Sequence, residues 1–237
     1  MPMYRKTAKA AVLLFILVHG GWAKKASNEQ GDPFQQRIAG IQLNEQSVID
    51  GVAMLSQRAN VVVSVEFPLG ETISGPAPQL RTFNKEIEPG TVSEVLDRLC
   101  SLDPTFVWIR IGDVLHVLPR VRVNDPSYVL NGRFDEVSFH NVSEASDAIM
   151  RMVGQLPGPR EQLAVMQVGP SLDFAVPWKA TLRDVTVREV IDRVAYQLGS
   201  AYSWQLGGAD DFRIVTFHEK LLPKPSRSKP IAANEKP

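Results

Sequence analysis

Thr91-Val92-Ser93-Glu94-Val95-Leu96-Asp97-Arg98 returns as Thr186-Val187-Arg188-Glu189-Val190-Ile191-Asp192-Arg193. Each copy is followed by an aromatic-x-Trp triplet, Phe106-Val107-Trp108 and Tyr202-Ser203-Trp204. Upstream, Asn44, Asp50, Val52 and Leu55 are echoed by Asn141, Asp147, Ile149 and Met152 in the same order. An internal repeat of this kind predicts two copies of one small fold. Within each phrase, Thr-x-x-Glu is a capping box. The hydroxyl accepts from the third helical N–H and the carboxylate reaches back to the cap's own N–H. Two helices therefore start at Val92 and Val187. Their inner faces are Val92, Val95, Leu96 and Leu99, and Val187, Val190, Ile191 and Val194. Glu94 and Arg98 fall one turn apart on the outer face, where they are expected to pair.

Working outward in the first copy, Ile41-Gln42-Leu43 alternates as a short strand and Asn44 is expected to cap a helix carrying Val48, Val52 and Leu55. The β-branched run 61–65 reads as a buried strand, and the Gly/Pro-rich stretch 68–78 as a loop. Residues 106–111 and 114–118 form a hairpin around Gly112-Asp113. In the second copy, 133–139 alternates as a strand. Asn141-x-x-Glu144 looks like a cap and its third helical residue, opening a helix with Ala145, Ile149 and Met152 that Pro157-Gly158-Pro159 ends. Strands are expected around 164–168 and 172–176, and 202–206 pairs with 212–217. Amphipathic helices need an apolar sheet face to cover. The predicted fold class is thus α+β: two tandem modules, each with two helices on a small mixed β-sheet of βαββαβ type.

The ends differ in character. Arg5, Lys6 and Lys9 precede an apolar run, 10–18, which stops at His19-Gly20-Gly21 and is followed by Ala23. This is the layout of a signal peptide cleaved near Ala23, too short for the roughly 20 apolar residues of a span; retention as an anchor is the alternative. The expected organisation is a signal peptide over 1–23, a flexible lead-in over 24–33, modules over 34–122 and 123–222, and a disordered tail over 223–237, where apolar groups are too few to offset ordering.

The chain has 26 basic and 26 acidic residues. Removing the leader makes it slightly acidic, and it lacks basic runs, which argues against a nucleic-acid partner. Cys100 is the sole cysteine, so an internal disulfide is excluded, and its place on an apolar stripe suits a buried thiol. His116, His140 and His218 are widely spaced, so no metal site is expected. No nucleotide, zinc-protease or serine-hydrolase signature occurs. The expectation is no catalytic residue and no cofactor. Trp108, Trp204 and Tyr202 are the candidate ligand-binding residues, because aromatics provide stacking platforms; a strand Trp also closes small cores.

The order of strand, helix with Val48, Val52 and Leu55, valine strand, 91–99 helix and Phe106-x-Trp108 hairpin resembles the short N-terminal domain shared by secretins and TonB-dependent receptors. The likeness covers most of 41–119 and, more loosely, 137–217. It implies a small periplasmic module that binds other envelope proteins, without catalytic residues. No secretin pore segment and no barrel accompany it in this chain. Function is therefore expected to be non-catalytic protein–protein interaction in the cell envelope, accessory to a secretion or uptake machine. The expected location is the periplasm or outside the cell, with homo-oligomers as a further form of assembly. A glycan- or peptide-binding module using the three aromatics is the alternative, and a hydrolase with a histidine base the third reading.

Overall fold

The computed structural model describes residues 32–68, 80–156, 162–166, 172–199, 202–209 and 212–219. The signal-peptide and tail assignments lie outside them, as do the lead-in up to Gly31, Pro157-Gly158-Pro159 and nearly all of the 68–78 loop. In chain order the elements are β1 (Arg37–Ile38), β2 (Ile41–Ser47), α1 (Val48–Ala59), β3 (Val62–Glu66), β4 (Thr82–Ile87), β5 (Gly90–Thr91), α2 (Val92–Leu102), β6 (Phe106–Ile111) and β7 (Val114–Pro119). Then come β8 (Arg133–Glu144), α3 (Ala145–Gly154), β9 (Gln162–Met166), β10 (Asp173–Thr186), α4 (Val187–Leu198), β11 (Tyr202–Ala209) and β12 (Phe212–Glu219). The fold is α+β.

The two repeated phrases form α2 and α4 as their capping boxes require. Thr91 Oγ1 accepts from the Glu94 amide at 3.2 Å and Glu94 accepts from the Thr91 amide at 2.8 Å. Thr186 and Glu189 do the same at 3.2 and 2.7 Å. The Glu94 carboxyl is held below the usual carboxylate range, chiefly by that backbone hydrogen bond. The expected Glu94–Arg98 pair acts at a distance, the Arg98 charge also lowering the Glu94 pKa, while each side chain makes its hydrogen bonds elsewhere. Glu94 is occupied by the cap, and Arg98 Nη1 donates to the Glu88 and Pro89 carbonyls at 2.9 and 3.1 Å.

Asn44 and Asn141 are not caps. In the first half the chain stays extended to Ser47, which caps α1 in a capping box with Asp50. In the second half α3 follows Glu144, whose side chain makes no cap hydrogen bond. The reason is a bulge common to both halves. The β2–β4 pairing shifts register between Leu43 and Gln46, with Glu45 at φ 53°, and β8–β10 shifts beyond Phe139 with Asn141 at φ 53°. A bulge bends the strand and delays the turn into the helix. Strand β4 has no clear apolar alternation, whereas β10 alternates through Trp178, Ala180 and Leu182; sequence reasoning passed over both.

Where the sequence predicts a small mixed sheet in each unit, six strands from both halves share one sheet, in the order β6-β7-β3-β11-β12-β9. β6–β7 and β11–β12 are antiparallel hairpins, while β3 lies parallel to β7 and β9 parallel to β12. Two hydrophobic clusters fill the interior, one between Phe34 and Val117 in sequence and the other between Tyr128 and Phe217. The helices α1 and α2 pack together over the first cluster's strands, and α3 and α4 over the second's.

Gly51 lies inside α1 at its contact with α2. A Cβ there would meet Leu99 Cδ2 at 2.6 Å and Leu43 Cδ2 at 3.2 Å. Both leucines are fully buried, so they have little room to yield. Gly51→Ala is therefore expected to destabilise by up to about 2 kcal/mol: overpacking costs about 1–3 kcal/mol, against a helix-propensity gain of about 1 kcal/mol. Chemical denaturation reads the sign, and a stabilised variant would mean that the α1–α2 contact is looser than described.

Candidate functional site: the seam of the sheet

The sheet is continuous because β3 pairs parallel with β11, Val65 opposite Gln205 and Glu66 opposite Leu206. One further bond, Phe67 N–H to the Leu206 carbonyl at 2.9 Å, extends the seam. Ser64, Glu66 and His116, the polar residues with no exposed surface among the described residues, lie on or beside it.

At one end is an ion pair between residues 122 positions apart. Arg188 Nε donates to Glu66 Oε1 at 2.6 Å and Nη2 to Oε2 at 3.2 Å. Their side chains are 5% and 0% exposed, so the charges are compensated only by each other and by local hydrogen bonds. Arg188 Nη1 also donates to Asn131 Oδ1 at 3.0 Å. Asn131 Nδ2 in turn donates to the Arg122 and Asp125 carbonyls at 2.8 and 2.9 Å, fastening the 120–132 connection onto α4. The Tyr128 hydroxyl is buried beside Glu66, and burial followed by that carboxylate pushes its pKa up. The Arg122 and Arg213 guanidiniums each lie 5.2 Å from the Tyr128 ring centroid.

Further along, Trp204 from β11 is fully buried and its indole N–H donates to Asp192 Oδ1 of α4 at 2.7 Å. The imidazole of His116, on β7 of the other half, stands 5.6 Å from the Trp204 ring at 51°. Its Nε2 is 3.2 Å from Asp192 Oδ2, without the alignment of a hydrogen bond. Trp108 and Asp97 repeat the Trp–Asp bond at 2.8 Å in the first half. That contact explains why both copies of the phrase carry an aspartate.

A cavity of about 40 Å³ adjoins Trp204, lined in part by Ser64, Asp192, Tyr196 and Tyr202. It has room for a few water molecules, too little to enclose a sugar ring or a peptide. Of the candidate aromatics, Trp204 and Tyr202 meet at this cavity, while half-buried Trp108 belongs to β6, separated from β11 by β7 and β3. At about 4.8 Å per strand that is roughly 14 Å, so the three do not form one stacking cleft.

The histidines are likewise dispersed. His116 is buried, His140 exposed and His218 half-buried on β12. His116, Asp192 and Ser64 offer the residue types of a hydrolytic triad, and Ser64 is opposite His116 across β3–β7. The arrangement lacks the working contacts: Ser64 Oγ and His116 Nδ1 have no hydrogen-bond partner, and His116 and Ser64 are fully buried. A nucleophile and its base must be within hydrogen-bond reach and open to substrate. Cys100 is buried, its thiol pushed up to about 12 by burial and by Asp97, so it is largely protonated at neutral pH. Among the described residues no group of three or more His, Cys, Asp or Glu side chains is placed to hold a metal ion, and no helix is long and apolar enough to cross a membrane.

His218 adds a pH dependence. Its Nε2 is buried without a hydrogen-bond partner, and burial lowers its pKa from the usual value. The folded state then resists a proton that the unfolded chain accepts. Stability contributed by neutral His218 is full above about pH 6.5 and falls as pH drops below it toward the lower folded pKa. His218→Gln is expected to flatten that acidic slope in thermal melts, and an unchanged slope would assign it to other groups.

Glu66, Arg188 and Asn131 escaped the sequence reading. The available signal was a difference inside the repeat: the two phrases diverge only at Ser93/Arg188 and Leu96/Ile191. The second is a conservative apolar exchange, and the first introduces the charge that meets Glu66. No family model, curated protein or solved structure matches this chain.

Proposed function

We propose that this is an exported, non-catalytic protein of two tandem α+β modules, 34–122 and 123–222, which binds another protein of the cell envelope by strand addition. The observation that carries the reading is the sheet itself. It joins its two halves edge to edge at β3–β11 and ends in two outer strands, β6 and β9, that have no second neighbour among the described residues. An open edge presents a row of backbone donors and acceptors that an extended partner segment can satisfy. The modules are spacers that hold these edges apart at fixed register. The apolar leader supports export, and the resemblance to secretin and TonB-receptor N-terminal domains supports an envelope partner, as accessory to a secretion or uptake machine. The small volume beside Trp204 and the separation of Trp108 from Trp204 and Tyr202 weigh against glycan binding, and the closed setting of His116 weighs against hydrolysis.

The test is capture in the native envelope. A photo-crosslinking residue at Ile109 on β6 is expected to trap a discrete envelope protein in the exported fraction, and one at exposed Met150 on α3 is not. Capture from the helix position alone, or retention of the chain in the cytoplasm, would overturn the reading.

A further inference from the structure

We infer that β9 of one molecule pairs in parallel with β6 of a second copy, reproducing between chains the β3–β11 seam within the chain. The inference rests on the proposed reading of two repeated modules and is independent of export. The half-sheets have the same order, β6-β7-β3 and β11-β12-β9. In the first, Trp108 is opposite Val117 and Ser64 opposite His116; in the second, Trp204 is opposite Phe217 and Met166 opposite Thr216. Trp108 thus occupies the place of Trp204, and Met166 that of Ser64. The seam joins the β3 edge of one half to the β11 edge of the other, and the two strands left outside, β9 and β6, are the counterparts of those two.

Three observations select a second copy as the occupant. The two edges are complementary in kind, since their counterparts already pair in parallel inside the molecule. Neither strand carries the usual protection of an exposed edge. Phe106-Val107-Trp108-Ile109-Arg110-Ile111 has one charge and Gln162-Leu163-Ala164-Val165-Met166 has none, and neither contains proline, whereas natural edges are commonly blunted by such residues. The single charge is turned away: Arg110 Nη1 binds Asp32 at 2.9 Å and its guanidinium lies 4.0 Å over the Phe34 ring.

The charges at the seam are also handled consistently. The ion-paired Arg188 corresponds to Ser93 in the first phrase. A joint between copies therefore carries no counterpart of the Arg188 guanidinium and leaves none orphaned there. It also lacks the pair's geometric lock, so it is a weaker, reversible contact. Because β6 meets β9 rather than another β6, the contact is head to tail and repeats into a ring or a filament instead of closing as a two-fold dimer.

Continuing the seam register places Val107 of one copy opposite Val165 of the next. Full-length Val107→Cys and Val165→Cys proteins are purified separately, checked for unchanged melting, then mixed and oxidised. Cys100 stays silent because it is buried. The expected result is a disulfide-linked dimer in the mixture and none in either protein alone. Dimers in a single variant would mean edge-to-like-edge pairing, and no dimer in the mixture would mean that these edges do not meet; either result overturns the inference. As a second reading, the mass of the unaltered protein by light scattering is expected to rise with concentration, and Val107→Lys to suppress the rise; a mass that stays monomeric throughout overturns it as well. Capture of a different envelope protein from Ile109 would survive either failure, so the two readings separate.

Discussion

Glu66→Gln is expected to lower stability by about 3–5 kcal/mol, because it leaves the Arg188 guanidinium buried without its counter-charge. For a body of this size that corresponds to a fall of roughly 6–20 °C in Tm. The loss should also change the shape of unfolding. Glu66 belongs to β3 and the first core cluster's strands, Arg188 to α4 over the second, so the pair couples two separately packed cores. With it intact, one cooperative transition is expected; without it, calorimetry should resolve two. The double variant Glu66→Leu/Arg188→Met is expected to recover most of the lost stability, since an apolar replacement of both partners removes the desolvation cost together with the attraction. It should not restore the hold of Arg188 on Asn131, so local opening of 120–132 should stay faster by hydrogen exchange. A single-variant loss below about 1 kcal/mol would place the pair among exposed ion pairs and contradict its role at the seam.

Trp204→Ala is the other large effect, about 3–5 kcal/mol from the lost buried ring alone. Asp192 also loses its indole donor next to His116, which adds to the cost because a partly buried acceptor loses its partner. Trp204→Phe keeps most of the ring volume and forfeits the hydrogen bond, so a smaller loss of about 1–3 kcal/mol is expected. The comparison with Trp108→Ala is internal to the repeat. Trp108 makes the same bond, to Asp97 at 2.8 Å, but is half-buried at the outer strand, and its truncation should cost distinctly less. Equal losses in guanidinium unfolding would mean that the seam adds nothing to the environment of Trp204.

The contrast between these tryptophans also shows how far the sequence could be read. Thr-x-x-Glu announced α2 and α4 because a capping box is a local device, decided within four residues, and the valine run at 61–65 announced β3 because burial on both faces leaves a continuous apolar string. Trp108 and Trp204 were visible as a repeated pair, yet only packing distinguishes the one at the outer strand from the one at the seam. The helix entries at Asn44 and Asn141 were misplaced because a bulge, held by pairing with β4 and β10 far along the chain, keeps the backbone extended for several more residues. Asp192 was legible as a repeated residue but not as the acceptor for Trp204, which depends on how α4 lies over β11. Glu66 and Arg188 are paired by the joining of two half-sheets, a contact that no local pattern encodes beyond the exchange of Ser93 for Arg188.

Hydrogen exchange of the protein alone and with its captured envelope partner bound tests strand addition most directly. Strand addition predicts new protection confined to backbone amides of 106–111 or 162–166, with α1 to α4 unchanged. Protection that falls instead on the outer helix surfaces, or around the Trp204 cavity, would contradict it.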